Sequence, residues 1–455
     1  MLTYELKKSP GVPLYEALYR SIRGDILSGA LQPGEKLPSK RALASHLEIS
    51  KITVEAAYNQ LLAEGYIASR EKVGYFVERV ERAPVRQQTP QEQPKAENTP
   101  LTLDLTASGA EHFPFSVWSR LQREVMLDYG EKLLQSLPHQ GIPELRQAIA
   151  RHLAAFRGMD TDPENILIGA GADFLYNLLV QLLGRDKCYA VEEPGYGKIR
   201  KIYSACGVDC ISAAMDSQGI RPDGLQNARV LHFSPSHHFP SGLVTPVQRR
   251  LELLNWAKET KSWIIEDDYD SEFRFTAHPM PAMQSLDPDR VIYMNSFSKT
   301  LAPSIRISYL VLPHGLMRQF RETLDFYSCT VPSFEQYTLA RFLDRGYFEK
   351  HINRMRKFYK NRRNKVVSLL ENSVFSSHIT ILEQDAGLHF LVKVDTNLSD
   401  AELQNRLEAV GIRIKPITSY YHFYSGEDRH CFLVNYSVLD EAALEQALKS
   451  LPEHL

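Results

Sequence analysis

Long apolar runs are missing from this 455-residue sequence, and that absence sets its first limit. Nowhere do about 18 consecutive apolar residues stand together, so no bilayer-spanning helix is expected. The N-terminal Met-Leu-Thr-Tyr-Glu-Leu-Lys-Lys also lacks the apolar run of a signal peptide. A soluble cytoplasmic chain with no membrane partner is the expectation. Cysteine is scarce: Cys188, Cys206, Cys210, Cys329 and Cys431 are five, an odd number, and none forms a Cys-x-x-Cys pair. That disfavours a disulfide framework or a zinc site and points to buried free thiols, with no metal expected. Charge of one sign is not in excess either, the formal net charge being −2. Internal repeats are absent. What is present is 43% hydrophobic and 24% charged residues over a length that exceeds one hydrophobic core, so two or three domains are expected.

Residues 81–100, ERAPVRQQTPQEQPKAENTP, are rich in Gln, Pro and Glu with almost nothing to bury, and read as a flexible linker. Such a segment has a coil-like span of roughly 25 Å and stretches past about 60 Å when extended. It separates a head, residues 12–80, from a body. In the body, residues 101–374 alternate helical periods (PELRQAIARHLAAF, DFLYNLLVQLLG) with short apolar strands (ENILIG, CYAVEE, RVLHF, WIIEDD, RVIYMN). This pattern predicts an α/β domain with a mostly parallel sheet. Residues 375–455 read as a smaller α+β domain: strands HITIL, GLHFLVKV, IRIKPI and CFLVNY with helices SDAELQNRLEAV and the C-terminal segment.

In the head, Tyr15, Leu18, Ile22 and Ile26 recur at helical steps and predict an amphipathic helix over 13–28. Ser39 and Ser50 are placed to cap two further helices around a Glu-Ile turn, making a helix-turn-helix. The second buries Val54, Ala57, Tyr58 and Leu61 and turns Lys51, Thr53, Glu55 and Asn59 outward. Tyr66–Ala68 and Gly74–Val77 read as a hairpin wing with Arg70 and Lys72 at its tip. Residues 1–80 hold eleven basic against nine acidic residues, so placement rather than net charge carries the DNA-binding expectation: Lys36, Lys40, Arg41, Lys51, Arg70 and Lys72 cluster in these elements. The segment resembles the winged helix-turn-helix head of GntR-type bacterial repressors. That resemblance implies that Ser39, Arg41, Lys51, Ile52, Thr53, Arg70 and Lys72 form the face toward double-stranded promoter DNA, with Arg41 and Lys51 on phosphates and Ile52 and Thr53 near bases. The family often has arginine where Lys51 stands, and lysine lacks the bidentate fork that reads guanine.

The body offers four parts that an aldehyde cofactor with a phosphate and a pyridine ring requires: an amine, a carboxylate for the ring nitrogen, an aromatic face and phosphate donors. GAGAD, residues 169–173, follows a strand and opens a helix, so the amides of Gly171, Ala172 and Asp173 face an anion at the positive end of a helix dipole. EEPGY presents Tyr196. IIEDDYD puts Asp267 at a strand's C-terminal end, where open α/β sheets bind ligands. SFSK supplies Ser296, Ser298 and Lys299, and Arg306 follows seven residues on. Taken in order, these stretches resemble the fold-type-I pyridoxal-phosphate enzymes of the aminotransferase kind. With PSHHFPSG, IIEDDYDSEF and SFSKTLAPSIRISY behind a GntR-like head, the chain resembles the MocR/GabR family of transcription regulators. The resemblance implies pyridoxal 5'-phosphate as cofactor, Lys299 as its Schiff-base lysine and Asp267 on its pyridine nitrogen. It further implies Tyr269 on its ring hydroxyl, Tyr196 stacked on it, and Arg306, Ser296, Ser298 and the 171–173 amides on its phosphate. It implies a homodimer as well.

Two readings of the body stay open at this point. As a sensor, it would take pyridoxal phosphate or an amine as effector and act on the DNA-binding head. As a working aminotransferase, it would need a site for a substrate carboxylate, and there Val438 stands where the resembling enzymes have arginine, Lys198 where the GABA-type regulators have a second one, and Phe239 where the enzymes have asparagine. Arg413 and Lys415 are the remaining cations in reach, each read as strand surface charge. A bidentate arginine–carboxylate contact is worth roughly 1.5–3 kcal/mol, so Val438 favours the sensor.

Overall fold

The computed structural model describes residues 2–4, 13–70, 73–79, 103–107, 109, 111–225, 227–275, 281–382, 387–423 and 430–450. Two compact units divide at residue 96, Met1–Ala96 and Glu97–Leu455. The expected linker, 81–100, and Lys72 lie outside the described residues.

The first unit begins with the helix Leu14–Ser28, stopped by Gly29 in the left-handed region (φ 83°), where a side chain would be strained. Its inner stripe is Leu18, Ile22 and Ile26; Tyr15, expected in that stripe, is 40% exposed. Ser39 caps Lys40–His46 by accepting the N–H of Ala42, and Ser50 caps Lys51–Ala63 by accepting that of Thr53. Between them Glu48 takes a left-handed turn (φ 53°). Val54, Ala57, Tyr58 and Leu61 are fully buried, so the predicted stripe of the second helix faces the core. The hairpin pairs Ile67–Arg70 with Gly74–Val77 in antiparallel register. Residues 34–37 join it through backbone bonds to Tyr75 and Val77.

In the second unit eight strands, among the described residues, form one sheet in the order Ile166–Gly169, Ser308–Val311, Val291–Ser296, Trp263–Asp267, Val230–Phe233, Tyr189–Glu193, Cys210–Asp216, Gly219–Ile220. The neighbours from Val291–Ser296 to Cys210–Asp216 run parallel; Ser308–Val311 is antiparallel to both its neighbours. The strands Ile166–Gly169, Ser308–Val311, Val291–Ser296, Trp263–Asp267 and Val230–Phe233 are almost wholly buried, which explains their apolar runs, whereas Cys210–Asp216 near the other edge of the sheet is largely half-buried. A second, antiparallel sheet holds Ile379–Leu382, His389–Val394, Cys431–Asn435 and Lys415–Pro416. The expected single strand IRIKPI is split. Ile412–Arg413 pairs with Leu103–Asp104, while Lys415–Pro416 pairs with Cys431–Asn435. No helix of the described residues is long and apolar enough to cross a membrane.

Candidate functional site

Register brings the body's scattered motifs to one edge of the large sheet. Ser296 pairs with Ser308, and Ser308 with Gly169, while Asp267 pairs with Met294 two residues short of Ser296. The strand ends carrying GAGAD, DDYD and SFSK therefore lie side by side. Arg306, two residues before Ser308, enters the same edge.

Asp267 is buried at its strand end, and two bonds reach one of its oxygens. The Tyr176 hydroxyl donates to Oδ2 at 2.7 Å, and His232 Nε2 lies 3.3 Å from the same atom. The Tyr203 hydroxyl is 2.6 Å from His232 Nδ1, so the imidazole links Tyr203 to Asp267. Tyr176, Tyr203 and His232 were not singled out from sequence. Only the polar His232 inside the apolar strand VLHF was a usable signal, since the tyrosines look like ordinary core residues.

Lys299 sits in the one-turn helix Phe297–Thr300 directly after the strand Val291–Ser296. Burial lowers the pKa of its amine, against the opposing pull of the Asp270 carboxylate. Asp270 is itself held by His237 Nδ1 at 2.9 Å, and the Tyr269 hydroxyl lies 3.3 Å from that same nitrogen. Burial also raises the pKa of Tyr269, so its phenol stays protonated. Glu192 is pushed up in the same way, mainly by burial and against the N–H that Ser234 donates to it.

At the phosphate-cradle position the helix Ala172–Leu183 opens with no side-chain cap. Gly171 has φ 89°, a left-handed backbone that favours glycine, and a Cβ there would stand 2.3 Å from the Arg306 guanidinium and push it aside. Gly171's own N–H is turned back to Gly169 O at 2.9 Å, which leaves Ala172 and Asp173 at the mouth of the helix. Arg306 Nη2 and Lys198 Nζ both reach Asp173 Oδ2, at 3.3 and 2.7 Å. Ser308 donates to Ser296 (2.8 Å) and Ser296 to Ser298 (3.0 Å), a hydroxyl row to which Ser308 is an addition. Tyr196, half exposed, meets Phe239 edge-on at 5.9 Å, and Phe239 in turn meets Tyr420 and His389.

The remaining cations are placed as follows. Val438 packs on Gly109, where an added Cβ would lie 2.8 Å from its Cγ1. Arg362 donates to Ser437 O beside it but is engaged by Glu111 at 3.0 Å. Arg413 pairs with Asp104 at 3.3 Å, and Lys415 lies over the Tyr420 ring at 4.1 Å.

In the head, Arg41, Lys51 and Ile52 are exposed, Ser39 caps its helix, and Thr53 Oγ1 is 2.8 Å from Ser50 Oγ. Arg70 lies over the Phe76 ring at 4.5 Å. Lys40, expected with the free basic cluster, is instead paired with Glu55 at 2.7 Å.

Residues 104–451 match the model of the family described as aminotransferase class I and II, and residues 14–77 that of the bacterial regulatory proteins, gntR family. The chain is 38% identical to an uncharacterised HTH-type transcriptional regulator, YdeL, of Bacillus subtilis, with 92% of this chain and 93% of that one covered. It is 31% identical to the probable rhizopine catabolism regulatory protein MocR of Rhizobium meliloti, covering 98% and 94%. It is also 31% identical to the HTH-type pyridoxine biosynthesis transcriptional regulator PdxR of Corynebacterium glutamicum, covering 90% and 88%. The body has the fold of the multiple substrate aminotransferase from Thermococcus profundus, at a TM-score of 0.68 and 23% identity, over 78% of this chain and 90% of that one.

Proposed function

The chain belongs to the aminotransferase class I and II family and carries a gntR-family head, as MocR-type transcription regulators do, and from that premise we propose that it senses pyridoxal phosphate or an amine at Lys299 and reports it to DNA. The family uses pyridoxal phosphate. When bound, that group supplies an electrophilic aldehyde carbon and an electron-withdrawing ring.

The observation that carries the reading is the convergence, on one sheet edge, of a half-buried amine with a lowered pKa, a buried carboxylate and an uncapped helix start facing Arg306. These residues fit a phosphate-bearing pyridine: a Cβ at Gly171 would fill the space the arginine uses, and both bonds described for Asp267 meet Oδ2. In this reading Asp267 Oδ1 holds the ring-nitrogen proton, and the Tyr203–His232 pair and Tyr176 keep the carboxylate oriented. Lys299 is the nucleophile, its amine deprotonated more readily than an exposed lysine. Tyr269 addresses the ring hydroxyl and Tyr196 covers the ring face. Arg306, Ser296, Ser298 and the helix start at Ala172 and Asp173 would hold the phosphate, while Gly171, its own N–H bonded to Gly169, gives the arginine room.

Val438 on Gly109, and Arg362 already committed to Glu111, support an effector without the usual carboxylate contact: an amine, or pyridoxal phosphate itself. The exposed apolar side chains Phe115, Met126, Leu127 and Leu134, along and just after the helix Phe115–Tyr129, support a second copy of the chain as the surface that covers them. Two heads would then meet two half-sites, about 34 Å apart per helical turn. An effector that binds one arrangement of the dimer better shifts the equilibrium by that difference alone.

The test is a titration of the purified protein with pyridoxal phosphate, followed by visible absorbance and run beside Lys299→Ala, with promoter-fragment binding measured in the same samples. A visible band in the wild type, absent from the variant, and a change in DNA affinity that follows the band are the expected results. A wild type that never gains the band sinks the reading.

A further inference from the structure

The first turn of the helix Lys51–Ala63 displays one large apolar side chain to solvent, and among the described residues of the head it is the most exposed of its size class: Ile52, at 78%. Its neighbours are occupied or charged. The Ser50 and Thr53 hydroxyls bond each other at 2.8 Å, and Ser50 also takes the Thr53 N–H. Glu55 is neutralised by Lys40 at 2.7 Å, which removes a carboxylate that would repel phosphates. Lys51 and Arg41 remain exposed and positive on either side of the turn. One helical turn on from Ile52 the same face carries the small Ala56, and then Asn59, so the helix can approach a surface closely there.

Such a turn, basic at its margins and hydrocarbon at its centre, suits the floor of a major groove. Base edges there present donors, acceptors and one hydrocarbon group, the C5-methyl of thymine. Isoleucine has nothing with which to read a donor or acceptor. We propose that Ile52 is a specificity-determining residue of the head, reading the C5-methyl of a thymine in each half-site. This rests on the reading of the head as a DNA-binding module and adds the base class that it selects.

Duplexes selected by the full-length protein from a random library supply the probe. Each thymine of the selected half-site is replaced singly by deoxyuridine, which deletes the methyl and leaves the hydrogen-bonding edge unchanged. At one position the wild type is expected to lose about threefold to fivefold in affinity, the equivalent of one buried methyl group. Ile52→Ala, folded because the side chain is exposed, should start about that much weaker on the thymine duplex and be indifferent to the replacement. Ile52→Val should keep most of the discrimination. If the wild type ignores every replacement, or both proteins lose equally, the assignment of Ile52 is wrong even while salt-dependent DNA binding persists. If no duplex is bound with a salt dependence, the DNA-binding reading itself fails and this inference goes with it.

Discussion

The head and the body solve opposite problems with the same kinds of side chain. In the head the residues expected to face DNA come from two neighbouring helices and a hairpin between Ser39 and Arg70, and Arg41, Lys51 and Ile52 among them are exposed outside a plain inner core. Their charges act through water, and salt screens them. In the body the candidate residues come from five stretches between 169 and 308 where strands end side by side, with Asp267 buried and Lys299, Ser296, Ser298 and Tyr269 half-buried. There a charge is costly unless it is paired, and pKa values move. The head should therefore answer to ionic strength, and the body to single side chains and to pH.

The sharpest break between the two is Lys299→Ala. It should abolish the visible band and every effector-linked change in DNA affinity, while binding of DNA without effector stays within about twofold of wild type. Gel-shift and absorbance titrations on the same preparation check it. Next comes Asp267→Ala, which leaves Tyr176 and His232 without their acceptor. Pyridoxal phosphate affinity should fall by about 1.5–3 kcal/mol, roughly one to two orders of magnitude, again with unchanged DNA binding.

A third prediction belongs to the body alone. Burial and the neighbouring Asp268 charge raise the Glu272 carboxyl to about 7 from the usual 4.5. Asn295 donates to one of its oxygens, and the other is buried without a partner. Below pH 4.5 folded and unfolded chains are both protonated here. As pH rises toward 7 the unfolded chain releases the proton first, so the stability present at low pH is lost across that window. The loss is about 3 kcal/mol. Glu272→Gln should flatten that slope in denaturant melts taken between pH 4.5 and 7.5, whereas an unchanged slope would place the effect elsewhere.

Much of this was legible before any coordinates, and the remainder has identifiable causes. Ser39 and Ser50 announced their helices because capping is local, and Lys299 and Asp267 stood out because each ends or follows an apolar strand, with Arg306 two residues ahead of the next. Tyr176, Tyr203 and His232 did not, because they meet Asp267 only after a helix packs on the finished sheet. The IRIKPI strand was misjudged as one element because its two halves take partners far away in sequence, Leu103–Asp104 and Cys431–Asn435. The Lys40–Glu55 pair was not legible because its partners lie on successive helices. Local chemistry is readable from sequence, whereas pairing across elements is not.

Gly171→Ala sharpens the comparison with a smaller effect. The substitution strains a left-handed backbone and pushes on Arg306, so stability should fall by about 1–2 kcal/mol and phosphate-dependent cofactor affinity with it, while pyridoxal lacking the phosphate binds as before. Equal weakening of both compounds would mean that the cradle lies elsewhere.

The smallest expected effect sits in the head and turns the comparison around. Lys51 is exposed at the first turn of its helix, with the positive end of the helix dipole beside it. A phosphate contact from such a lysine releases about one counterion, so Lys51→Ala should weaken binding to all duplexes alike and reduce the slope of log affinity against log salt by about 1. The Lys299 band should be unmoved by the substitution, because Lys51 belongs to the head and the band to the body. If the Lys51→Ala loss were confined to one DNA sequence, the lysine would be reading a base, and the division between a screened head and a buried body would have to be drawn at a different residue.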